Sequence, residues 1–183
     1  MGISNFVANN SMMIKSEKKL KDLAAVLSKG NNILISEAIG MLREDKPFEG
    51  AIGLLILFYD KTDDFLIRKT IAAFMNDLKD QAASAEVIKE IRKPWKSDTT
   101  GMLVSSCWQS GLDYSEYSSD LAKVFLKGDY ITAIECLTVI EESVHKLSMD
   151  RRDEIIRIIE ESPLSRENEK KALTFELLSI LGR

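Results

Sequence analysis

Apolar residues recur at helical spacing along almost the whole of this chain, and no stretch of useful length alternates apolar with polar residues. A period of 3.6 buries one stripe of a helix, whereas strands need a period of 2. Leu20, Leu23, Ala24 and Leu27 follow i, i+3, i+4, i+7, and Ile35, Ala38, Ile39 and Leu42 repeat the pattern. Phe48, Ile52, Leu55, Ile56 and Tyr59 form a third stripe, and Ile67, Ile71, Phe74 and Leu78 a fourth. Val87, Ile88 and Ile91 mark a shorter helix stopped by Pro94; Leu103, Val104, Cys107 and Trp108 mark the next, and Leu121, Val124 and Phe125 another. The longest stripe is Tyr130, Ile134, Leu137, Ile140, Val144 and Leu147. Ile155, Ile156, Ile158 and Ile159, then Leu173, Leu177, Ile180 and Leu181, finish the chain. The reading is all-α, with about ten helices joined by short connections.

Punctuation agrees with these stripes. Gly30, Gly111 and Gly128 stand where helices end, and Pro47 stands at a first helical position. Asp63 and Asp64, Ser97 and Asp98, and Asp150 are cap candidates, and Asp113 with Glu116 has the spacing of a capping box. The 183 residues contain three prolines and no long Gly/Ser tract, so the expectation is a single domain over residues 1–183. Short connections make consecutive helices antiparallel neighbours, either stacked as hairpins into a superhelix or gathered into a compact bundle.

Residues 47–78 narrow that choice. Pro47 precedes Gly50, Ala51, Ile52 and Leu55; Asp64 leads to Ile67 and Arg68, then Ile71, Ala72 and Phe74. This stretch resembles a HEAT repeat, the paired-helix unit of α-solenoids. The resemblance implies an irregular HEAT-like α-α superhelix, in which Asp64 and Arg68 brace neighbouring repeats. Asp129, Tyr130 and Ile131 echo Asp64, Phe65 and Leu66, although Ala133 stands where a second Arg is expected.

Charge bears on partners. The formal net charge is −4, with the acidic excess in residues 101–183, which argues against general nucleic-acid binding. The basic segment Lys15 to Lys29 reads as a solvated helix face. The longest apolar run, Leu54 to Tyr59, is far too short to span a bilayer, and Met1 to Ile14 makes a poor signal peptide. Cys107 and Cys136 sit in helical stripes without a CxxC pair, so both read as buried reduced thiols in a cytoplasmic protein.

Catalytic chemistry finds little support. His145, the single histidine, has Glu141 and Glu142 one turn away but no second His or Cys to complete a metal site. Gly50 and Gly53 lack the Lys-Ser or Lys-Thr of a phosphate loop and read as close helix packing. No cofactor, metal or catalytic set is expected. Trp95, Tyr114 and Tyr117 stand at helix breaks, where aromatics can anchor a partner, while Trp108 reads as core. The leading expectation is therefore a non-enzymatic scaffold that binds a protein or peptide. HEAT-like alkylpurine DNA glycosylases, which need a basic groove with aromatics and a carboxylate, are the alternative implied by the resemblance, beside some other enzyme.

Overall fold

The computed structural model describes residues 16–29, 31–44, 48–166 and 168–182. Gly30, Pro47 and the segment Met1 to Lys15 lie outside the described residues. Among those described, the chain is all-α: ten α-helices, a few 3-10 turns and no strand. They are α1 (residues 16–28), α2 (Asn32–Glu44), α3 (Ala51–Lys61), α4 (Phe65–Asn76) and α5 (Ala83–Ile91). Then follow α6 (Ser97–Ser110), α7 (Ser118–Lys127), α8 (Tyr130–Ser143), α9 (Met149–Glu161) and α10 (Lys171–Leu181). They gather into two compact units, Met1–Phe74 and Met75–Arg183.

In the first unit, α3 buries Ala51, Ile52, Leu55, Ile56 and Tyr59, and α4 buries Ile67, Ile71 and Phe74. Gly50 is not inside a helix. It precedes α3 at φ 85°, in the left-handed region that favours glycine, with the Leu20 methyl 3.0 Å from where a Cβ would stand. Asp64 caps α4 by accepting from Ile67 N at 3.0 Å. Its other oxygen accepts from Asn32 Nδ2 at 2.7 Å, which pins the start of α2 to the start of α4. Arg68 donates to the Tyr59 carbonyl at 3.1 Å and lies 4.0 Å over the Tyr59 ring, fixing α4 to the end of α3.

The second unit is built around α8, which packs against both α6 and α7, with α9 against α7 and α10 against α8 and α9. Here the expected face of α8 holds at Leu137 and Ile140 and is corrected toward the start of the helix. Tyr130 and Ile134 are exposed, and the buried stripe is Thr132, Ala133, Cys136, Leu137 and Ile140. A helix with neighbours on two sides gains more from small residues that let backbones approach than from bulk.

Trp108 is the second correction. It is 36% exposed rather than core, because the buried face of α6 is Leu103, Val104, Cys107 and Ser110. Its indole N–H donates to Glu135 Oε2 at 2.6 Å, so the ring lies at the rim between α6 and α8. Several caps also differ. Ser148, not Asp150, caps α9, accepting from Arg151 N. Ser97 does not cap α6; its hydroxyl donates to Asp129 Oδ2, while Asp129 Oδ1 caps α8 through Thr132 N at 2.8 Å. Asp113 accepts from Ser115 N at 3.0 Å, opening a 3-10 turn (Ser115–Tyr117) before α7 in place of a full capping box.

Candidate functional site

The second unit carries an open cleft of about 520 Å³ between the α5–α6 turn and one face of α7. Pro94 stops α5 and exposes the turn. Trp95 lies half-buried in it, with its indole N–H donated to the Glu90 carbonyl at 2.9 Å. The α5 end therefore consumes the ring's only polar group and leaves an apolar plane on the cleft. Lys93 stands 5.6 Å from the ring centroid while both oxygens of the buried Glu90 carboxylate accept from its ammonium at 2.7 Å.

The opposite wall comes from helical spacing. The buried residues of α7 include Leu121, Ala122, Phe125 and Leu126, and the stripe Asp120, Lys123, Val124 and Lys127 turns to the cleft. Asp120 accepts two bonds from Arg92, at 3.1 and 2.8 Å, a bidentate pair that closes one end. At the other end Asp129 is held by Ser97 and Thr132. The Ser97 hydroxyl first, then the Thr132 amide, keep its carboxyl below the usual range. Lys123 and Lys127 are different: both are exposed, and among the described residues neither has a carboxylate at ion-pair distance.

The last turn of α7 is fixed from behind. Gly128 N donates to the Val124 carbonyl at 2.7 Å, and a Cβ on Gly128 would fall 2.8 Å from Thr132 Cγ2. Lys170, buried just before α10, donates to the carbonyls of Leu126, Gly128 and Phe125 at 2.5, 3.0 and 3.4 Å. An ammonium with three donors thus satisfies a helix end that would otherwise hold orphan carbonyls.

Of the three aromatics expected to anchor a partner, one, Trp95, lines the cleft. Tyr117 is half-buried in the 3-10 turn and does not line it. Tyr114 is corrected outright: it is 1% exposed and belongs to the core. Cys107 and Ser110 lie beside its hydroxyl, but the thiol proton goes to the Leu103 carbonyl and the Ser110 proton to the Cys107 carbonyl. The Tyr114 hydroxyl stays close to both side chains but makes no hydrogen bond of good geometry to either. Both cysteines are buried, and burial pushes the Cys107 thiol up to about 12 and Cys136 well above the ordinary thiol value. His145 is exposed in a 3-10 turn after α8. Among the described residues no group of three or more His, Cys, Asp or Glu is placed to hold a metal ion, and no helix is long and apolar enough to cross a membrane.

No family model, curated protein or solved structure matches this chain.

Lys123, Lys127 and Arg92 are among the cleft residues that the sequence did not single out. The available signal was two lysines one turn apart on a helix in the acidic half of the chain.

Proposed function

We propose that this chain is a HEAT-like helical-repeat protein that binds a protein or peptide without catalysing a reaction, and that the Trp95 cleft is a contact surface. The observation that carries this reading is the contrast within the cleft. Arg92, Lys93, Asp120 and Asp129 are consumed by internal partners, while an apolar indole face and two lysines are left for something outside.

A recurrent hydrogen-bond spacing supports the repeat character. Asn32 bonds to Asp64 and Ser97 to Asp129, each over 32 residues, and each aspartate caps the helix that follows it. Gln81 spans the same 32 residues to the Asp113 carbonyl and amide, and Asn76 spans 33 to Gln109. A unit that contacts the corresponding position of the next unit produces this kind of offset.

The glycosylase alternative needs a free carboxylate beside the aromatic. Both cleft aspartates are engaged, and Trp108, the second tryptophan, pairs with Glu135 and does not line the cleft. Selection of displayed random peptides on the purified chain tests the binding reading. Wild type should enrich a sequence class that Trp95→Ala fails to retain, with helicity of the variant unchanged by circular dichroism. Failure to enrich any class, or enrichment indifferent to Trp95→Ala, would end it.

A further inference from the structure

We infer that the Trp95 cleft selects an acidic segment: an apolar side chain seated against Trp95 and Pro94, flanked by carboxylates that pair with Lys123 and Lys127. The inference rests on the peptide-binding reading and adds the chemistry of the partner. Its basis is charge. Every other charged group lining the cleft has a partner within the protein. Arg92 holds Asp120, Lys93 holds Glu90, and Asp129 is bonded to Ser97 and Thr132. Lys123 and Lys127 alone among the cleft's described charges remain available, and both are positive.

Their placement also has a cost that a ligand would relieve. Like charges four residues apart on a helix repel. The C-terminal partial charge of α7 offsets this for Lys127, which lies in the last turn, and much less for Lys123, because the effect fades within that turn. An anion bound across the pair removes the repulsion. Side chains at i and i+4 have Cβ atoms about 6 Å apart, and an extended peptide places alternate side chains about 7 Å apart. An acid–x–acid segment lying along α7 therefore meets both lysines, and the adjoining apolar residue falls toward Val124 and the indole. A polyphosphate backbone fits less well, since it continues past the lysines toward Asp120 and Asp129.

The test measures fluorescence polarisation of short labelled peptides against the purified full chain at low and high salt. Three pools share a central Leu, Phe or Trp and differ in flanks: Asp/Glu, Ser/Gln or Lys. A fourth probe is a labelled oligothymidylate. The acidic pool should bind best and weaken with salt. Lys123→Glu with Lys127→Glu, two exposed positions, should lower its affinity about tenfold or more and raise that of the lysine pool, with helicity retained by circular dichroism. Equal or better binding of the neutral or lysine pool to wild type would overturn the acidic inference and leave peptide binding standing. So would acidic-pool binding indifferent to the charge reversal, which would place the contact elsewhere. Oligothymidylate binding as tight as the acidic pool, and lost in the same variant, would replace the peptide by a phosphate backbone. Binding of no probe at all would remove both this inference and the reading beneath it.

Discussion

Lys170→Met asks how much the buried ammonium contributes to the end of α7. The ammonium has three acceptors, the carbonyls of Leu126, Gly128 and Phe125, and the residue is 5% exposed. Burying a charge costs several kcal/mol, and bonds from a charged donor return roughly 1.5–3 kcal/mol each. Methionine fills similar volume, so the ammonium's gain and its desolvation cost disappear together. The carbonyls stay. Phe125 and Leu126 are buried, whereas Gly128 is partly exposed and can turn to water. Two orphaned acceptors at about 1–3 kcal/mol each give an expected net loss of roughly 2–6 kcal/mol. For a chain of this length that lowers the melting temperature by roughly 5–25 °C. Urea titration should show a lower midpoint at unchanged slope, and the Gly128 amide, bonded to Val124, should exchange faster. A Met variant within about 0.5 kcal/mol of wild type would mean instead that those carbonyls find other partners at no cost.

Phe74→Ala should cost about 3–5 kcal/mol in urea unfolding, since Phe74 is 2% exposed and its removal opens a cavity; a loss below about 1 kcal/mol would show that the site collapses. Tyr114→Phe deletes a buried hydroxyl that makes no well-formed bond to its neighbours Cys107 and Ser110 and should be neutral or stabilising by up to about 1 kcal/mol; a clear loss in melting temperature would show that those contacts hold it. Asp64, Asp113 and Asp129 all titrate below their ordinary value, chiefly through the Ile67 amide, the Ser115 amide and the Ser97 hydroxyl respectively. A depressed folded-state value favours the folded chain above the unfolded carboxyl value of about 3.9 and is lost as pH falls through the folded one. Urea midpoints should therefore drop between about pH 5 and pH 2; midpoints that stay level over that range would show that these bonds add nothing.

Most helices were legible because their stripes follow one face. Leu23 and Leu27, Ile35 and Ile39, Ile52 and Ile56, and Ile71 and Phe74 were all expected inward and are all buried. The reading failed where a helix has two neighbours. On α8 Leu137 and Ile140 lie inward as expected, whereas Tyr130 and Ile134 are exposed and Thr132, Ala133 and Cys136 take the inner face in that part of the helix. Tyr114 and Trp108 exchanged places for a related reason. An aromatic beside acidic residues at a helix break reads as surface, yet nothing in its neighbours shows that Cys107 and Ser110 enclose it. The cleft was least legible of all. Trp95 stood out by itself, but its opposite wall comes from α7, more than a helix later in the chain, and no local pattern reveals which face of α7 that is.

The separate fates of the two indoles give the molecule two optical probes with different duties. Trp95 donates to a backbone carbonyl, an acceptor that does not titrate, and its ring lines an open cleft. Trp108 donates to the carboxylate of Glu135 at the α6–α8 rim. Exclusion of water from the cleft would shift emission from the first toward the blue and leave the second unchanged. With Trp108→Phe, the chain's fluorescence becomes a single-site record of what occupies the cleft, with no label attached.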